Sequence, residues 1–129
     1  MWLVKTDPDE YSWSDFYQDG STVWDGVKNY QAIGYLKEMK LMDEVLIYHS
    51  FDKYIAGLAV VEKEFYILDG QVVVDLRAVR EFPSKVSLHQ IKQLPSLSTL
   101  FLVRQSRLSV GPVNHEQREI LFRMIEQGQ

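Results

Sequence analysis

The sequence predicts an α+β domain built on a mixed sheet or small barrel of five to six strands with short peripheral helices. Strand-like segments follow one another through the middle of the 129-residue chain, and no long helix separates them. The pair Asp69-Gly70 lies between two of these segments, and both residues tolerate the positive φ of a tight hairpin turn. Consecutive strands joined by a hairpin favour an antiparallel or mixed sheet. A closed or nearly closed barrel would remove the edges of such a small sheet.

Five segments have the composition of strands. They are WLVK (2–5), DEVLIYHS (43–50), YIAGLAVVEKEF (54–65), QVVVDLRAVRE (71–81) and FLVRQSRLSVGPV (101–113). In the fourth segment, Val72, Val74 and Leu76 alternate with polar residues, which predicts a strand with one buried face. The fifth is expected to run as a strand into a polar loop.

Four helices are predicted from their start and stop signals. They cover residues 12–20, 30–39, 87–95 and 115–127. The first begins at a cap on Ser12 and stops at Gly20, Asn29 is placed to cap the second, and Pro95 ends the third. Asn114 caps the last helix, in which apolar residues recur on one face. That stripe consists of Ile120, Leu121, Met124 and Ile125.

The composition is that of an ordinary globular protein, and it excludes several kinds of chemistry. No linker or repeat divides the 129 residues, which can bury one core, so residues 1–129 are expected to form a single domain. The chain has no cysteine, which excludes disulfides, thiolate metal sites and cysteine nucleophiles. It has neither a basic leader nor an apolar run of about 20 residues. We therefore expect an intracellular, cytoplasmic protein that makes no membrane contact.

Charge is distributed unevenly along the chain. The formal net charge of −4 argues against strong, nonspecific binding to nucleic-acid backbones, which depends on lysine and arginine. Between Arg77 and Arg107, however, six basic residues stand against Glu81 alone. The segment RQSRLS (104–109) adds hydroxyl and amide groups to two of these arginines, and such groups contact phosphates and sugars. A local basic face or an ordinary solvated surface would both fit this pattern.

Few residues suggest catalysis or metal binding. The acidic cluster Asp7, Asp9 and Glu10 is interrupted by a proline and matches no calcium-loop spacing, so we expect it to cap the following helix. His49 and Ser50 are neighbours in a predicted strand, where adjacent side chains point to opposite faces, and they make a poor nucleophile–base pair. We expect no catalytic residues, no metal and no cofactor.

The stretch VWDGVKNYQA (23–32) points to a ligand pocket. Trp24 stands beside Asp25 and near Asn29, without the alternation of a strand, which predicts a loop. Recognition of a base needs an aromatic surface surrounded by groups that read the base edge. In that role Trp24 would face solvent in part, and Trp24→Ala would leave the fold nearly as stable. A core tryptophan would instead cost about 3–5 kcal/mol when replaced by alanine.

Four motifs in order resemble the EVE domain, a member of the PUA-like superfamily. They are WLVKTDPDEYSWSDF, VWDGVKNYQA, EVLIYHS and VRQSRLSVGPV, and together they span nearly the whole chain. The resemblance implies a PUA-like mixed β pseudo-barrel of five or six strands with peripheral helices and a pocket on one face. EVE domains are similar to YTH domains, which read N6-methyladenine in RNA through an aromatic cage. The implied partner is DNA or RNA that carries a modified base.

The resemblance also assigns roles to residues of this chain. Trp24 corresponds to a cage aromatic and Asn29 to a contact with the base edge, with Asp25 between them. Lys5, Thr6, Tyr48, His49 and Ser50 would line the same cavity, and Arg104, Gln105, Ser106 and Arg107 would close its rim and meet the backbone. The mechanism implied is capture of the base without turnover.

Two other functions fit the same cavity. An enzyme acting on a nucleotide or nucleic acid would need a general acid or base, for which Asp25 and His49 are the only plausible pair. A protein-interaction or small-molecule sensor module is the other alternative. Which modification is bound, and whether DNA or RNA carries it, stays open, and we expect a monomer.

Overall fold

Six strands and five short helices make up the part of the chain that the computed structural model describes, residues 1–127. The strands are β1 (Trp2–Thr6), β2 (Ser21–Trp24), β3 (Glu44–His49), β4 (Tyr54–Leu68), β5 (Gln71–Ser87) and β6 (Val110–Pro112). The helices are α1 (Trp13–Asp19), α2 (Tyr30–Glu38), α3 (Leu88–Lys92), α4 (Phe101–Arg104) and α5 (His115–Gln127), with a 3₁₀ turn at Pro95–Leu97. The mixed sheet with short peripheral helices confirms the predicted fold class.

The strands form one sheet in the order β2-β5-β4-β3-β1-β6. β1 runs parallel to β3, with Trp2 opposite Val45 and Thr6 opposite His49, while all other neighbouring pairs are antiparallel. Within residues 1–127 the edge strands β2 and β6 do not pair, so the sheet is open and the expected barrel closure is wrong. The two edges are only four and three residues long, and such short edges give another chain little to pair with. Helix α2 packs against β6 and β5.

Local signals predict several elements correctly. Asp69 and Gly70 have φ values of 50° and 77° at the tip of the β4–β5 hairpin. Ser12 caps α1 by accepting a hydrogen bond from the Asp15 N–H, and Gly20 ends that helix. Each of these features depends on neighbouring residues alone, because caps and tight turns close within a few residues. The acidic cluster before α1 is not its cap; Asp7 Oδ1 accepts from the Asp9 N–H instead.

The other caps also lie where they were predicted. Asn29 accepts a hydrogen bond from the Ala32 N–H and begins α2. Asn114 accepts from the Gln117 N–H at the start of α5. The predicted third helix is shorter than expected: Ser87, the last residue of β5, caps α3, which ends at Lys92, and Pro95 begins the following 3₁₀ turn. Within α5, Leu121 and Ile125 are fully buried and the helix packs against β5, so the predicted apolar stripe faces the core.

Two predictions of secondary structure are wrong. Segment 101–113 is not one strand: its first four residues form α4, and only Val110–Pro112 pair with β1. The chain folds back so that Phe101 lies on Gly111, where a Cβ would approach the ring Cγ within 2.6 Å. β2 was not predicted at all, because four residues are too few for a periodic pattern. It forms by pairing with β5, Trp24 lying opposite Val74.

The core lies between the curled sheet and the helices. Trp13 and Phe16 of α1 are buried, and the Trp13 ring lies directly on Gly57 of β4, where a Cβ would meet the ring at 2.6 Å. Arg118 of α5 forms a two-point hydrogen bond with Glu44 of β3 at 2.7 and 3.1 Å. Among residues 1–127, no helix combines the length and apolarity that crossing a membrane requires.

Candidate functional site

A cavity of about 440 Å³ opens between β1 and β2, which are not neighbours in the sheet but approach each other as it curls. Its walls come from the end of β1, the loop that follows, the end of β2 and the turn after it. The lining residues are Lys5, Thr6, Asp7, Glu10, Tyr11, Thr22, Val23, Trp24, Asp25, Gly26, Val27 and Ser109. Four of the predicted site residues, Lys5, Thr6, Trp24 and Asp25, are therefore brought together.

Trp24 and Tyr11 form the aromatic part of the cavity wall. Their ring centroids lie 6.3 Å apart with the planes at 73°. The Phe16 ring packs on Trp24 from the core side, with 6.0 Å between the ring centroids. Trp24 is the last residue of β2 and only 7% exposed, so the expected loop position and solvent-facing ring are not found. The Tyr11 hydroxyl donates to Asp19 at 2.7 Å. Burial, reinforced by Asp19, raises the pKa of Tyr11 to about 12, so the phenol keeps its proton.

Polar contacts hold the other walls in place. The Thr6 hydroxyl donates to the Tyr11 carbonyl at 2.6 Å, which fixes the loop between them. Lys5 Nζ donates to the Ser106 carbonyl at 2.7 Å and so joins β1 to the 104–109 segment. Burial lowers the pKa of Lys5 from its ordinary value. Gly26, at φ 77°, donates its N–H to Gln71 Oε1 at 2.9 Å.

A second cavity of about 320 Å³ lies beside the 104–109 segment. It is lined by Asn29, Gln31, Arg104, Gln105, Ser106, Arg107 and Leu108. Five predicted site residues are found here rather than in the Trp24 cavity. The Oδ1 of Asn29 is already engaged by the Ala32 N–H as the cap of α2. Arg104 and Gln105 also line a third cavity, of about 580 Å³.

Tyr48, His49 and Ser50 do not line these three cavities of the described chain. Tyr48 and His49 are buried, and burial raises the pKa of Tyr48 to about 12. His49 Nε2 accepts a hydrogen bond from the backbone N–H of Trp13 at 3.0 Å, and the Ser50 hydroxyl donates to the Thr6 carbonyl at 3.3 Å. Asp25 and His49 therefore do not share one of these cavities.

Several lining residues were missed by the sequence analysis. Tyr11, Thr22, Gly26, Val27 and Ser109 come from four separate places in the chain. Tyr11 lies within the first motif of the EVE resemblance, which was the one signal for it. Gly26, Val27 and Ser109 lie within the second and fourth motifs, whereas Thr22 lies outside all four and reaches the cavity through the pairing of β2 with β5.

The fold, an open mixed sheet with short peripheral helices, is similar to that of a YTH domain. The YTH domain of Zygosaccharomyces rouxii MRB1, solved in complex with N6-methyladenosine RNA, superposes with a TM-score of 0.62 at 14% identity, covering 99% of this chain and 87% of that one. At that identity the likeness concerns the fold alone.

The sequence model of the EVE domain matches residues 1–124, so this chain belongs to the EVE domain family. A Pseudomonas syringae protein of known structure is 34% identical over 96% of this chain and 98% of that one, with a TM-score of 0.90. The crystal structure of human THYN1 in complex with 5-methylcytosine-containing DNA is 28% identical over 97% of this chain and 96% of that one, with a TM-score of 0.87.

Thymocyte nuclear protein 1 of Rattus norvegicus is 29% identical, covering 97% of this chain and 73% of the rat protein. The alignment extends over 165 positions, more than the 129 residues of this chain. Some positions of the rat protein within the aligned region therefore have no counterpart here.

Proposed function

We propose that this chain binds DNA or RNA that carries a modified base, with the base in the Trp24 cavity and the backbone along the 104–108 segment. The observation that carries the proposal is the pairing of an aromatic, polar cavity with a neighbouring cavity that holds two arginines. The human relative solved with 5-methylcytosine-containing DNA supports it.

The first cavity provides the groups that a base needs. Trp24 and Tyr11 offer aromatic surface, while Thr6, Thr22 and Ser109 supply hydroxyl groups around it. Base–aromatic stacking contributes about 1–3 kcal/mol per base in single-strand binders. Extracting a base from a duplex costs a few kcal/mol, and less from a single strand. Single-stranded or locally opened nucleic acid is therefore the favoured ligand.

The second cavity provides contacts for the backbone. Arg104, Gln105, Ser106 and Arg107 are all exposed, and side chains of these types bind phosphate and sugar oxygens. Lys5 links the two cavities through its hydrogen bond to the Ser106 carbonyl. A strand whose base enters the first cavity would thus place its adjoining phosphates against the second.

We propose binding without turnover. The histidine that the enzyme alternative requires is not in this cavity, because His49 lies outside the lining and accepts the backbone N–H of Trp13. The nuclear location in the rat protein's name belongs to that protein; our expectation of a cytoplasmic location and of a monomer stays a prediction.

The test is a binding screen with short oligonucleotides of one sequence, each labelled with a fluorophore and carrying one modified base. Methylated cytosine and methylated adenine are presented in both DNA and RNA, next to the unmodified strands, and dissociation constants are measured by fluorescence anisotropy. We expect at least one modified strand to bind several-fold more tightly than its unmodified match.

A variant that blocks the cavity provides the control. Thr22→Trp fills the space, because Thr22 is a half-buried residue of the cavity wall. Ser14→Trp is the matched control, because Ser14 of α1 is exposed and lies outside the cavity lining. The preference for the modified strand over its unmodified match should disappear in Thr22→Trp and persist in Ser14→Trp. Equal binding of all strands by the unchanged protein would refute the proposal, and binding of free modified nucleosides but not oligonucleotides would instead identify a small-molecule sensor.

A further inference from the structure

The mouth of the Trp24 cavity is acidic. Three carboxylates, those of Asp7, Glu10 and Asp25, belong to its lining, and all three residues are exposed. Among the described lining residues Lys5 is the one cation, and no arginine contributes. The neighbouring cavity has the opposite character, because Arg104 and Arg107 line it without a carboxylate. The two cavities therefore differ in the sign of their charge.

Lys5 offsets only one of the three carboxylates. Its Nζ donates to the Ser106 carbonyl at 2.7 Å, which directs the ammonium group toward the 104–108 segment. One carboxylate oxygen of Asp7 accepts the Asp9 N–H at 2.9 Å, a contact that holds this side chain in its turn. A base that enters this cavity therefore comes close to exposed negative charge as well as to the aromatic wall.

We propose that this acidic mouth excludes modified bases that carry a negative charge and admits neutral ones. The inference rests on the proposed function and narrows its ligand class. A carboxylate attached to a base would approach three like charges, and like-charge juxtaposition is a strong means of rejecting a wrong ligand. An exocyclic amine on the same base would instead find acceptors, as cytosine N4–H₂ does with Asp or Glu. The phosphates stay outside, against the arginines.

The experiment compares three single-stranded DNA oligonucleotides that differ at one base: 5-methylcytosine, 5-carbamoylcytosine and 5-carboxylcytosine. The carbamoyl and carboxyl groups have nearly the same size, so their comparison separates charge from shape. At low salt we expect the carboxyl strand to bind about tenfold more weakly than the carbamoyl strand. The ratio should shrink as added salt screens the exposed carboxylates.

A pair of variants assigns the effect to the cavity. Glu10→Gln combined with Asp25→Asn removes two of the three carboxylates and should lower the carbamoyl-to-carboxyl affinity ratio several-fold. Glu62→Gln combined with Glu126→Gln removes the same charge from exposed positions outside all three cavities and should leave the ratio unchanged. Folding of both variants is checked by thermal unfolding.

Equal affinity for the carbamoyl and carboxyl strands, in the unchanged protein and both variants, would overturn the inference. The proposed function would still stand if 5-methylcytosine or another marked strand were preferred over its unmarked match. If no marked strand were preferred and Thr22→Trp changed nothing, the proposed function would fall and the inference with it. The two failures are thus distinguishable.

Discussion

Trp24 belongs to both the core and the cavity wall. Its ring contacts Phe16 and Tyr11, and 7% of the residue remains exposed toward the cavity. A side chain with this burial cannot be removed without leaving a void, since the backbone of β2 is held by β5 and cannot collapse into the space. Under the proposed function, stability and binding both depend on this ring.

We expect Trp24→Ala to lower the free energy of unfolding by about 3–5 kcal/mol. This reverses the expectation from the sequence, in which the ring faced solvent. Chemical denaturation measures the loss, and a loss below about 1 kcal/mol would contradict the burial described here. Trp24→Phe keeps an aromatic ring in the core and is the better variant for binding studies.

His49 is a buried imidazole with a defined tautomer. Nε2 accepts a hydrogen bond from the backbone N–H of Trp13 at 3.0 Å and therefore carries no proton, while Nδ1 lies 3.7 Å from Asp52 Oδ2. Burial lowers the pKa of His49, more than Asp52 raises it. Protonation of Nε2 would place two donors against each other and release the first turn of α1 from β3.

Stability should fall as the pH is lowered past about 6.5, the ordinary pKa of histidine. Between that value and the lower pKa of folded His49, the unfolded chain binds more protons, so acid favours unfolding. His49→Gln offers Trp13 an acceptor that does not titrate. The difference in free energy of unfolding between pH 7.5 and pH 5.5 should be smaller in this variant, and an unchanged difference would contradict the assignment.

Helix α4 and strand β6 form one packed unit that local propensity does not predict. Leu100 precedes a single turn of helix, after which residues 105–109 reverse the chain. Gly111 of β6 then lies beneath the Phe101 ring, with no room for a Cβ. This close contact sets the position of the 104–108 segment, and hence of both arginines, relative to β1.

We expect Gly111→Ala to lower the free energy of unfolding by about 1–3 kcal/mol, because the added methyl group overlaps the Phe101 ring. Gly34→Ala in α2 is the matched control: a Cβ there meets nothing within 4 Å. Alanine in a helix interior should raise stability by about 0.5–1 kcal/mol. Thermal unfolding of both variants gives the comparison, and equal effects would contradict the packing of α4 on β6.

Across the whole molecule, acidic and basic side chains are concentrated in different places. The formal net charge is −4, yet Arg104 and Arg107 lie together on one exposed segment beside an acidic cavity. The broader basic region predicted from Arg77 to Arg107 is split by the fold: Arg77 pairs within the sheet, and only the last two arginines line a described cavity.

Replacing Arg104 and Arg107 by alanine should weaken binding of all oligonucleotides to a similar degree. On a single strand, the slope of log K against log salt should decrease by about 0.7 for each phosphate that the protein no longer neutralises. Lys92→Ala with Arg123→Ala removes two exposed cations outside the cavities and should change neither quantity. Unchanged affinity and slope in the arginine variant would exclude phosphate binding by this segment.

The sequence by itself determined the features that close within a few residues. The Asp69-Gly70 turn, the caps at Ser12, Asn29 and Asn114, and the apolar stripe of α5 depend on local backbone chemistry and on helical periodicity. They are found where they were predicted. The order of the four motifs was enough to predict family membership, which the match over residues 1–124 confirms.

Tertiary structure alone decided the features that need distant partners. β2 exists because β5 pairs with it, and α4 replaces a predicted strand because Phe101 packs on Gly111. Within residues 1–127 the edge strands β2 and β6 do not pair, so the sheet is open. The burial of Trp24 and the separation of an acidic from a basic cavity follow from those contacts. Strand pairing and packing energies depend on residues far apart in the chain, so no local pattern contains them.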